Sequence, residues 1–331
     1  MIRDAHFPGK WQLAFGLPVC FAGMYFAFRD WDTGELISQF DRLQYIWIFL
    51  SIAFAFLSIW IRALRWKKIL QPLGSPTTWR LFQSTMIGYF GNGFLPARLG
   101  EVLKCVAAGK LIPDIPVSSF VGSVIAERTL DLVGLSVIAL TVIFLNPLPA
   151  WLSSGVAVLL ILTGSSTVLL VVVARYQIFM ARMFDGVWQL IFKNKANAVL
   201  AVFPGFLSGL ATLESRARII TISFHTTIYW CMQWGLMHSV ALALHLEITW
   251  MQTGIVLLAT MLATSIPSVP ANVGIFHAAA VVALTSILDL TTDSAIAYAI
   301  ISHGVRVMLV ISAGAVFAAV LLIHQKNLSR H

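Results

Sequence analysis

Three charged side chains interrupt a long apolar stretch in the first half of the sequence. Arg98, Glu101 and Lys104 follow one another three residues apart, so a helix would place them on one face. Pro96 suits the first turn of such a helix, whose free N–H groups favour an anion, and Arg98 could hold a phosphate by paired hydrogen bonds. Asn92, between two glycines, is expected to satisfy backbone groups freed where the preceding helix breaks. The alternative is that Arg98 and Glu101 only neutralise each other.

A second charged group lies inside the next apolar stretch. Glu127 and Asp131 are four residues apart and Arg128 lies between them, so all three can point into a helix bundle. Two acids and one base leave a net negative charge, for which Arg98 is the expected partner. Since ionisable groups inside a membrane are costly, this group is either a substrate or proton site or a purely structural network.

The second half of the sequence has a comparable polar set. Arg306 is a candidate ligand for an anion, and His303 is a candidate proton carrier because the pKa of histidine lies near neutrality. A single histidine in a membrane helix can equally be a hydrogen-bonded structural group. Pro270 marks a break in an apolar stretch, Asn272 is expected to cap the helix that follows, and His277 is expected to face a cavity.

The elements that position these residues are predicted to be membrane-spanning helices. Of the 331 residues, 59% are hydrophobic and 11% are charged, whereas about a quarter of the residues in a soluble domain are charged. The apolar runs reach the roughly 20 residues that a spanning helix needs, and they do not alternate as strands of an outer-membrane barrel do. The predicted fold class is therefore all-α, a polytopic integral membrane protein. Its six full spans are expected at 11–28, 44–62, 118–145, 150–173, 219–245 and 294–323.

The distribution of positive charge predicts which side of the membrane each loop faces. Lysine and arginine accumulate in cytoplasmic loops, and this rule explains the net charge of +8 without nucleic acid as a partner. Segment 174–218, which interleaves cations with aromatic residues, is expected to lie in the cytoplasmic interface. Both termini, N and C, are expected to be cytoplasmic. Five cations place the loop after the second span on the same side: Arg62, Arg65, Lys67, Lys68 and Arg80.

Two further apolar stretches, 81–109 and 251–288, are interrupted near their middle by glycine, asparagine and proline. The side assignments put both ends of the first stretch in the cytoplasm and both ends of the second outside. Each stretch is therefore predicted to be a re-entrant helical hairpin, and the two enter from opposite faces. Broken helices at membrane depth occur where backbone lines a cavity or is buried by protein.

The two hairpins also resemble each other in sequence. Pro-Ala-Arg-Leu-Gly at 96–100 matches Pro-Ala-Asn-Val-Gly at 270–274, with three identities. Each hairpin lies between full spans, which predicts an inverted repeat of 44–145 and 219–323 within a single transmembrane domain, 1–331. In secondary transporters the broken segments of such repeats meet near the bilayer midplane and form the binding site.

The sequence carries no motif for cofactor chemistry. A P-loop, a dinucleotide-binding glycine pattern, a nucleophile elbow and a zinc-protease helix motif are all absent. The three cysteines, Cys20, Cys105 and Cys231, are scattered and lack the spacing of metal ligands. No cofactor, no bound metal and no catalytic residue are therefore predicted, and ATP-driven transport by this chain alone is not expected.

Three sequence runs carry a resemblance to a known family. GYFGNGFLPARLGEVLK and SSFVGSVIAERTLDLVGL resemble the lysylphosphatidylglycerol synthase transmembrane-region family of flippase-like membrane proteins, and PSVPANVGIFHAAAVVAL resembles its second signature. The resemblance covers nearly the whole chain. The sequence differs from the family pattern at Ala271, where a glycine is common, and at His277, where an acid often stands. The matching residues are Asn92, Pro96, Arg98, Gly100, Glu101, Glu127, Arg128, Asp131, Pro267, Pro270, Asn272 and Gly274.

The resemblance implies transbilayer movement of a lipid, of the flippase or scramblase type, in a bacterial or archaeal cytoplasmic membrane. The implied cargo is an anionic phospholipid, a polyprenyl phosphate, or a related isoprenoid lipid or glycolipid. Larger members of the family couple this domain to a soluble aminoacyltransferase. No such domain is recognised in this sequence, so lysyl transfer is not expected.

Two other function classes remain open from the sequence. One is a non-transporting accessory subunit with a lipid-modifying enzyme or a membrane glycosyltransferase as its partner. The other is an intramembrane lipid enzyme whose acids do the catalysis. For a transporter, dissipation of a lipid gradient and proton coupling through Glu127 or His303 both fit the sequence, and so does a homo-oligomer.

Overall fold

The computed structural model describes residues 25, 33–95, 98–176, 203–210, 215–265 and 270–328, and every regular element within these ranges is helical. A short 3-10 turn, Pro270–Asn272, separates the ninth helix from the tenth. In chain order the helices are α1 (Thr33–Asp41), α2 (Tyr45–Leu70), α3 (Thr78–Phe94), α4 (Gly100–Leu111), α5 (Val117–Leu145), α6 (Ala150–Arg175), α7 (Phe203–Leu210), α8 (Arg216–Ala243), α9 (Trp250–Ser265), α10 (Ile275–Ser286) and α11 (Thr292–Leu328).

Four of the described helices are long and apolar enough to cross a membrane, by length and composition: α2, α5, α6 and α11. They coincide with four of the predicted spans, and α8 occupies the predicted span at 219–245. The all-α, polytopic membrane class is therefore confirmed. The predicted span at 11–28 lies outside the described residues except for Tyr25, and so does most of segment 174–218.

The end of α2 corrects one prediction. Arg62 and Arg65 are expected in a cytoplasmic loop, but both lie within α2 and both side chains are buried. The helix continues to Leu70 because apolar residues such as Trp66 still give it a face to bury. Among the other cations used for that loop, Lys67 and Lys68 lie half-buried in the last turn of α2, and Arg80 lies exposed in α3.

Both interrupted stretches contain a true break between two helices. The first broken unit, 78–111, has helices of 17 and 12 residues, and the second broken unit, 250–286, has helices of 16 and 12. Arg98 and Asn272 occupy the same position of the two matching stretches, and both have left-handed backbone, with φ of 56° and 57°. Non-glycine residues seldom adopt this conformation. The two breaks therefore share a backbone feature as well as a sequence pattern.

Glycine allows the two helices of the first broken unit to touch. A Cβ added to Gly100 would lie 2.1 Å from the carbonyl oxygen of Gly88, which no side chain can tolerate without a shift of the backbone. The first turn of α4 is formed from Gly100 onwards. The expectation that Pro96 opens this helix is therefore wrong, and Pro96 itself lies outside the described residues.

Two apolar cores stabilise the bundle, and each combines residues from both halves of the chain. Trp66 and Phe82 belong to the first, and Leu257 and Phe276 belong to the second. Helix α2 packs along α8, and α11 packs against helices of both broken units. The two breaks are thereby brought to a common space between the cores.

Candidate functional site

A cavity of about 230 Å³ lies where the two breaks meet. Residues of α2, α3, α4, α5, α8, α9, α10 and α11 form its wall together with both breaks. Apolar side chains such as Leu95, Val307 and Val310 cover part of it. Its larger polar and charged side chains are Arg62, Tyr89, Asn92, Arg98, Glu101, Arg128, Tyr229, Gln233, Asn272, His303 and Arg306.

Glu127 is the centre of a buried ion network beside this cavity. Its Oε1 atom lies 2.6 Å from Nε of Arg62 and 3.3 Å from Nη2 of Arg65, and its Oε2 atom lies 2.6 Å from Nζ of Lys104. The ammonium of Lys104 also lies 4.0 Å from the ring centroid of Trp66. The Glu127 side chain has no exposed surface, and it ties α2 and α4 to α5.

Asp131 and Glu101 extend the network to the cavity wall. Arg65 donates to Asp131 at 2.6 Å and Arg62 donates to it at 2.8 Å. Arg128 donates to Asp131 at 3.3 Å and also pairs with Glu101 of α4. Among the described residues, the carboxylates of Glu127 and Asp131 are thus each held by several cations, which is the arrangement that a buried charge requires.

Arg98 has a different role from the one predicted for it. Its Nη2 atom donates to the carbonyl oxygen of Thr264 at 2.6 Å, near the end of α9. The prediction that Arg98 neutralises the acids of α5 is wrong, since their partners come mainly from α2 and α4. The alternative pair of Arg98 with Glu101 is not formed either, because Glu101 pairs with Arg128. Arg98 instead links the first break to the second broken unit.

Arg306 is a cation of the cavity that has no counter-charge among the described residues. Its Nε and Nη2 atoms are buried and lack hydrogen-bond partners there. The guanidinium carbon lies 5.9 Å from the ring centroid of Phe276, a contact that offsets only part of the cost of burying a charge. An anion in the cavity would supply the acceptor oxygens that these N–H groups lack.

His303 supports the second break. Its Nε2 atom lies 2.9 Å from the carbonyl oxygen of Ala271, so the imidazole donates this hydrogen bond. The His303 ring stacks on Phe276, with ring centroids 4.9 Å apart. Ala271 has a left-handed backbone, with φ of 55°, and this contact helps to hold it.

The start of α10 is capped differently from the prediction. Gly274 is the N-cap residue, and its backbone N–H donates to Nδ1 of His277 at 3.4 Å. Asn272 is therefore not the cap but a residue of the 3-10 turn and of the cavity wall. His277 is buried against His303, with ring centroids 4.8 Å apart. Contrary to the prediction, it does not line the cavity.

The structure brings most of the predicted site residues together. Glu127 and Asp131 lie in the ion network, Pro270 lies in the 3-10 turn, His277 lies behind His303, and Pro96 lies outside the described residues. The seven that line the cavity are Asn92, Arg98, Glu101, Arg128, Asn272, His303 and Arg306.

Some site residues were missed by the sequence reasoning. Arg62 and Arg65 are three residues apart, a spacing that places them on one helical face and that identifies them once the helix is extended. Tyr229 and Gln233 are four residues apart on α8, and Gln233 donates to the Tyr229 hydroxyl at 3.0 Å. A polar pair four residues apart within an apolar helix is the sequence signal that identifies Tyr229 and Gln233 as candidate site residues.

The match to a protein family covers both broken units and the cavity between them. The family model described as Lysylphosphatidylglycerol synthase TM region matches residues 12–314. The chain belongs to this family. The resemblance seen in the sequence motifs is thereby confirmed, and the family match associates the chain with a flippase-like membrane region rather than a catalytic domain. Searches of the curated proteins and of the solved structures give no match.

The chemistry available in the cavity is that of anion binding. Its lining combines guanidinium groups with tyrosine hydroxyls and three side-chain amides, all of which can donate hydrogen bonds to phosphate oxygens. Within the described part of the chain, no group of three or more His, Cys, Asp or Glu side chains is placed to hold a metal ion.

Proposed function

We propose that this protein moves a lipid with an anionic head group between the two leaflets of a cytoplasmic membrane, as a flippase or scramblase and not as an enzyme. The observation that carries the proposal is Arg306, whose buried guanidinium lacks a counter-charge among the described residues and lines a cavity between two broken helices. In transporters with opposed repeats, such breaks form the substrate site. A phosphate in the cavity would complete the hydrogen bonding of Arg306.

The apolar part of the cavity wall supports a lipid rather than a water-soluble anion. Leu95 lines the cavity and is 38% exposed, and its neighbour Phe94 is 58% exposed, so the cavity borders the outer surface of the bundle there. Ile311 of α11 also lines the cavity and packs close to Gly93 of α3. A lipid whose head group binds Arg306 can therefore keep its chains in the bilayer by extending them past Leu95 and Phe94.

The hydrogen bond from Arg98 to Thr264 is the contact that lipid binding would break in this mechanism. It links the first break to the second broken unit across the cavity. A phosphate that enters the cavity offers Arg98 a charged acceptor, which is stronger than a backbone carbonyl. Binding would then weaken the link between the two units and favour their separation, so that the head group passes from one break to the other.

The family membership supports the lipid-related assignment, and the charge pattern supports the orientation. Segment 174–218 and both termini are proposed to be cytoplasmic, because lysine and arginine are concentrated there. The proposed cargo is an anionic phospholipid, a polyprenyl phosphate or a related phosphorylated isoprenoid lipid. Membrane lipids are thus the proposed ligands of the cavity.

The proposal is tested with the purified full chain in liposomes that contain acyl-labelled fluorescent phosphatidic acid, phosphatidylglycerol or a fluorescent polyprenyl phosphate. A membrane-impermeant quencher reports exchange between leaflets. We expect exchange of at least one of these lipids, and we expect Arg306→Gln to slow it by about tenfold or more through the loss of charge-assisted hydrogen bonds. Arg80→Gln is the matched control, because Arg80 is exposed and far in sequence from the cavity residues of its helix.

Other outcomes would assign a different function. Exchange that equals the protein-free rate for all three lipids contradicts the proposal. A chemically altered lipid, detected by mass spectrometry of the same liposomes, indicates an enzyme. Co-purification with a glycosyltransferase, without lipid exchange, indicates an accessory subunit.

A further inference from the structure

The charges around the cavity do not balance. In the ion network, four cations share three carboxylates: Arg62, Arg65, Lys104 and Arg128 contact Glu101, Glu127 and Asp131. The network by itself therefore retains one positive charge. Arg128 is the member with the most exposed side chain, at 34%, and it lines the cavity. The uncompensated charge of the network consequently faces the cavity.

Two further cations line the cavity without a carboxylate among the described residues. Arg98 donates to a backbone carbonyl, which carries no net charge, and Arg306 has two buried nitrogen atoms without an acceptor. Together with the network, six cations face three carboxylates, so the cavity region has a surplus of three positive charges. Burying such a surplus is unfavourable unless a ligand of opposite charge neutralises it.

From this surplus we infer that the lipid carried by the protein has a phosphate monoester or a diphosphate as its head group, rather than a phosphodiester. This inference rests on the proposed function. A phosphodiester brings one negative charge, whereas a phosphate monoester brings between about 1.5 and 2 near neutral pH and has three terminal oxygens. Three oxygens can bind Arg306 and Arg98 at once, and each guanidinium can form a paired contact. The head group of higher charge neutralises more of the surplus.

Arg306 is the residue that determines this selectivity. Arg62, Arg65 and Arg128 are already bound to carboxylates, and Arg98 donates to a carbonyl oxygen. Among these described arginines, Arg306 therefore lacks both a counter-charge and hydrogen-bond acceptors. Removal of its charge lowers the surplus to two. The advantage of a dianionic head group over a monoanionic one then falls, while a monoanionic lipid still finds Arg98.

The test compares two lipids that differ by one methyl group on the phosphate and hence in its charge. Phosphatidic acid is a phosphate monoester, and phosphatidylmethanol is the same lipid with one phosphate oxygen methylated. Acyl-labelled versions of both are exchanged by the full chain, by Arg306→Gln and by Arg306→Lys in the same liposomes. We expect the full chain to exchange phosphatidic acid about tenfold faster, since one more charged contact forms. Arg306→Gln removes most of this ratio, and Arg306→Lys, which keeps the charge, retains it.

A second measurement separates a lipid head group from a free phosphate ester and also checks the fold of each variant. The thermal midpoint of the detergent-solubilised protein is measured with dihexanoyl phosphatidic acid and with glycerol 3-phosphate at equal concentration. We expect stabilisation by the first compound only, and we expect Arg306→Gln to elute as a monodisperse protein but to lose this stabilisation.

The outcomes distinguish the inference from the function on which it rests. Equal exchange of phosphatidic acid and phosphatidylmethanol, or a loss of both in equal proportion in Arg306→Gln, overturns the inference and leaves lipid transport intact. Equal stabilisation by glycerol 3-phosphate overturns the assignment to a lipid head group. Absence of exchange for every lipid, polyprenyl phosphate included, contradicts the proposed function itself and removes the basis of the inference.

Discussion

The two broken units have similar backbones but different chemistry. Their helices have nearly the same lengths, and the same position of each break has left-handed backbone, at Arg98 and at Asn272. In the first unit, α4 carries Glu101 and Lys104 into an ion network. In the second unit, α10 carries no charged side chain, and its start is held by His277. One backbone pattern thus serves two kinds of stabilisation.

This difference indicates a division of roles. The first unit is fixed to α5 by the ion pairs of Glu101 and Lys104, and α5 is in turn paired with α2, so that most of the charges here are compensated. The second unit is held by neutral hydrogen bonds and aromatic contacts, and it leaves the charge of Arg306 on α11 without compensation. We therefore expect changes in the first unit to affect mainly stability, and changes around Arg306 to affect mainly lipid handling.

The largest expected difference between the units is their orientation in the membrane. Single cysteines at Asp114, after the first unit, and at Asp289, after the second, are both in exposed positions. In a background without Cys20, Cys105 and Cys231, an impermeant thiol reagent should label the first only from the cytoplasm and the second only from outside. Labelling of both positions from the same side would contradict the predicted inverted repeat.

Loss of the Glu127 charge should cause the largest change in stability. Glu127→Gln leaves Arg62, Arg65 and Lys104 with one carboxylate fewer, so the free energy of unfolding should fall by about 3–5 kcal/mol. Thermal unfolding in detergent measures the effect. Glu247→Gln, the same change at an exposed position, is the control and should leave the midpoint unchanged. A small effect at Glu127 would show that the network does not anchor the first unit.

Substitution of the glycine at each break by alanine should lower stability, for a different reason at each break. Gly100→Ala places a Cβ against the carbonyl of Gly88, and overpacking of this kind costs about 1–3 kcal/mol or more. Gly274→Ala forces a side chain onto left-handed backbone with φ of 85°, which costs about 1–2 kcal/mol. Gly304→Ala is the control, since its Cβ would meet nothing within 4 Å. Thermal unfolding should rank the three in this order, and equal effects would contradict the close packing at Gly100.

The smallest expected effect concerns the support of the second break. His303→Phe can keep the stacking on Phe276 but loses the hydrogen bond to Ala271, so stability should fall by about 1 kcal/mol. Hydrogen–deuterium exchange of the backbone around 271–276 should rise, while exchange around 100–104 stays constant. A comparable rise in both regions would show that the two breaks are not stabilised independently.

Much of the fold was predictable because it depends on local features. Apolar length identified four spans that the described residues bear out, and glycine, asparagine and proline identified both breaks. The exact pairing of charges was not predictable, because it depends on distances between helices. The sequence predicts Arg62 and Arg65 in a loop because cations usually mark the end of a span, whereas the acids of α5 retain them inside the bundle.

The same limit explains the errors at the site. The sequence predicts Arg98 as the partner of Glu127 and Asp131. Its left-handed backbone and its position at the break instead bring its guanidinium to Thr264. His277 was expected in the cavity because of its place in the first turn of α10, but its ring folds back to the N-terminal N–H of Gly274. Local spacing identified most of the candidate site residues, whereas tertiary contacts determine the partner of each one.

We propose that the head group binds at Arg306 while the Glu127 network remains a structural element. The most direct test is an experimental structure of the protein with bound dihexanoyl phosphatidic acid. We expect phosphate density within hydrogen-bonding distance of the Arg306 guanidinium, with the ion pairs of Glu127 unchanged. Phosphate bound instead to Arg62 or Lys104, with Glu127 displaced from them, would contradict it.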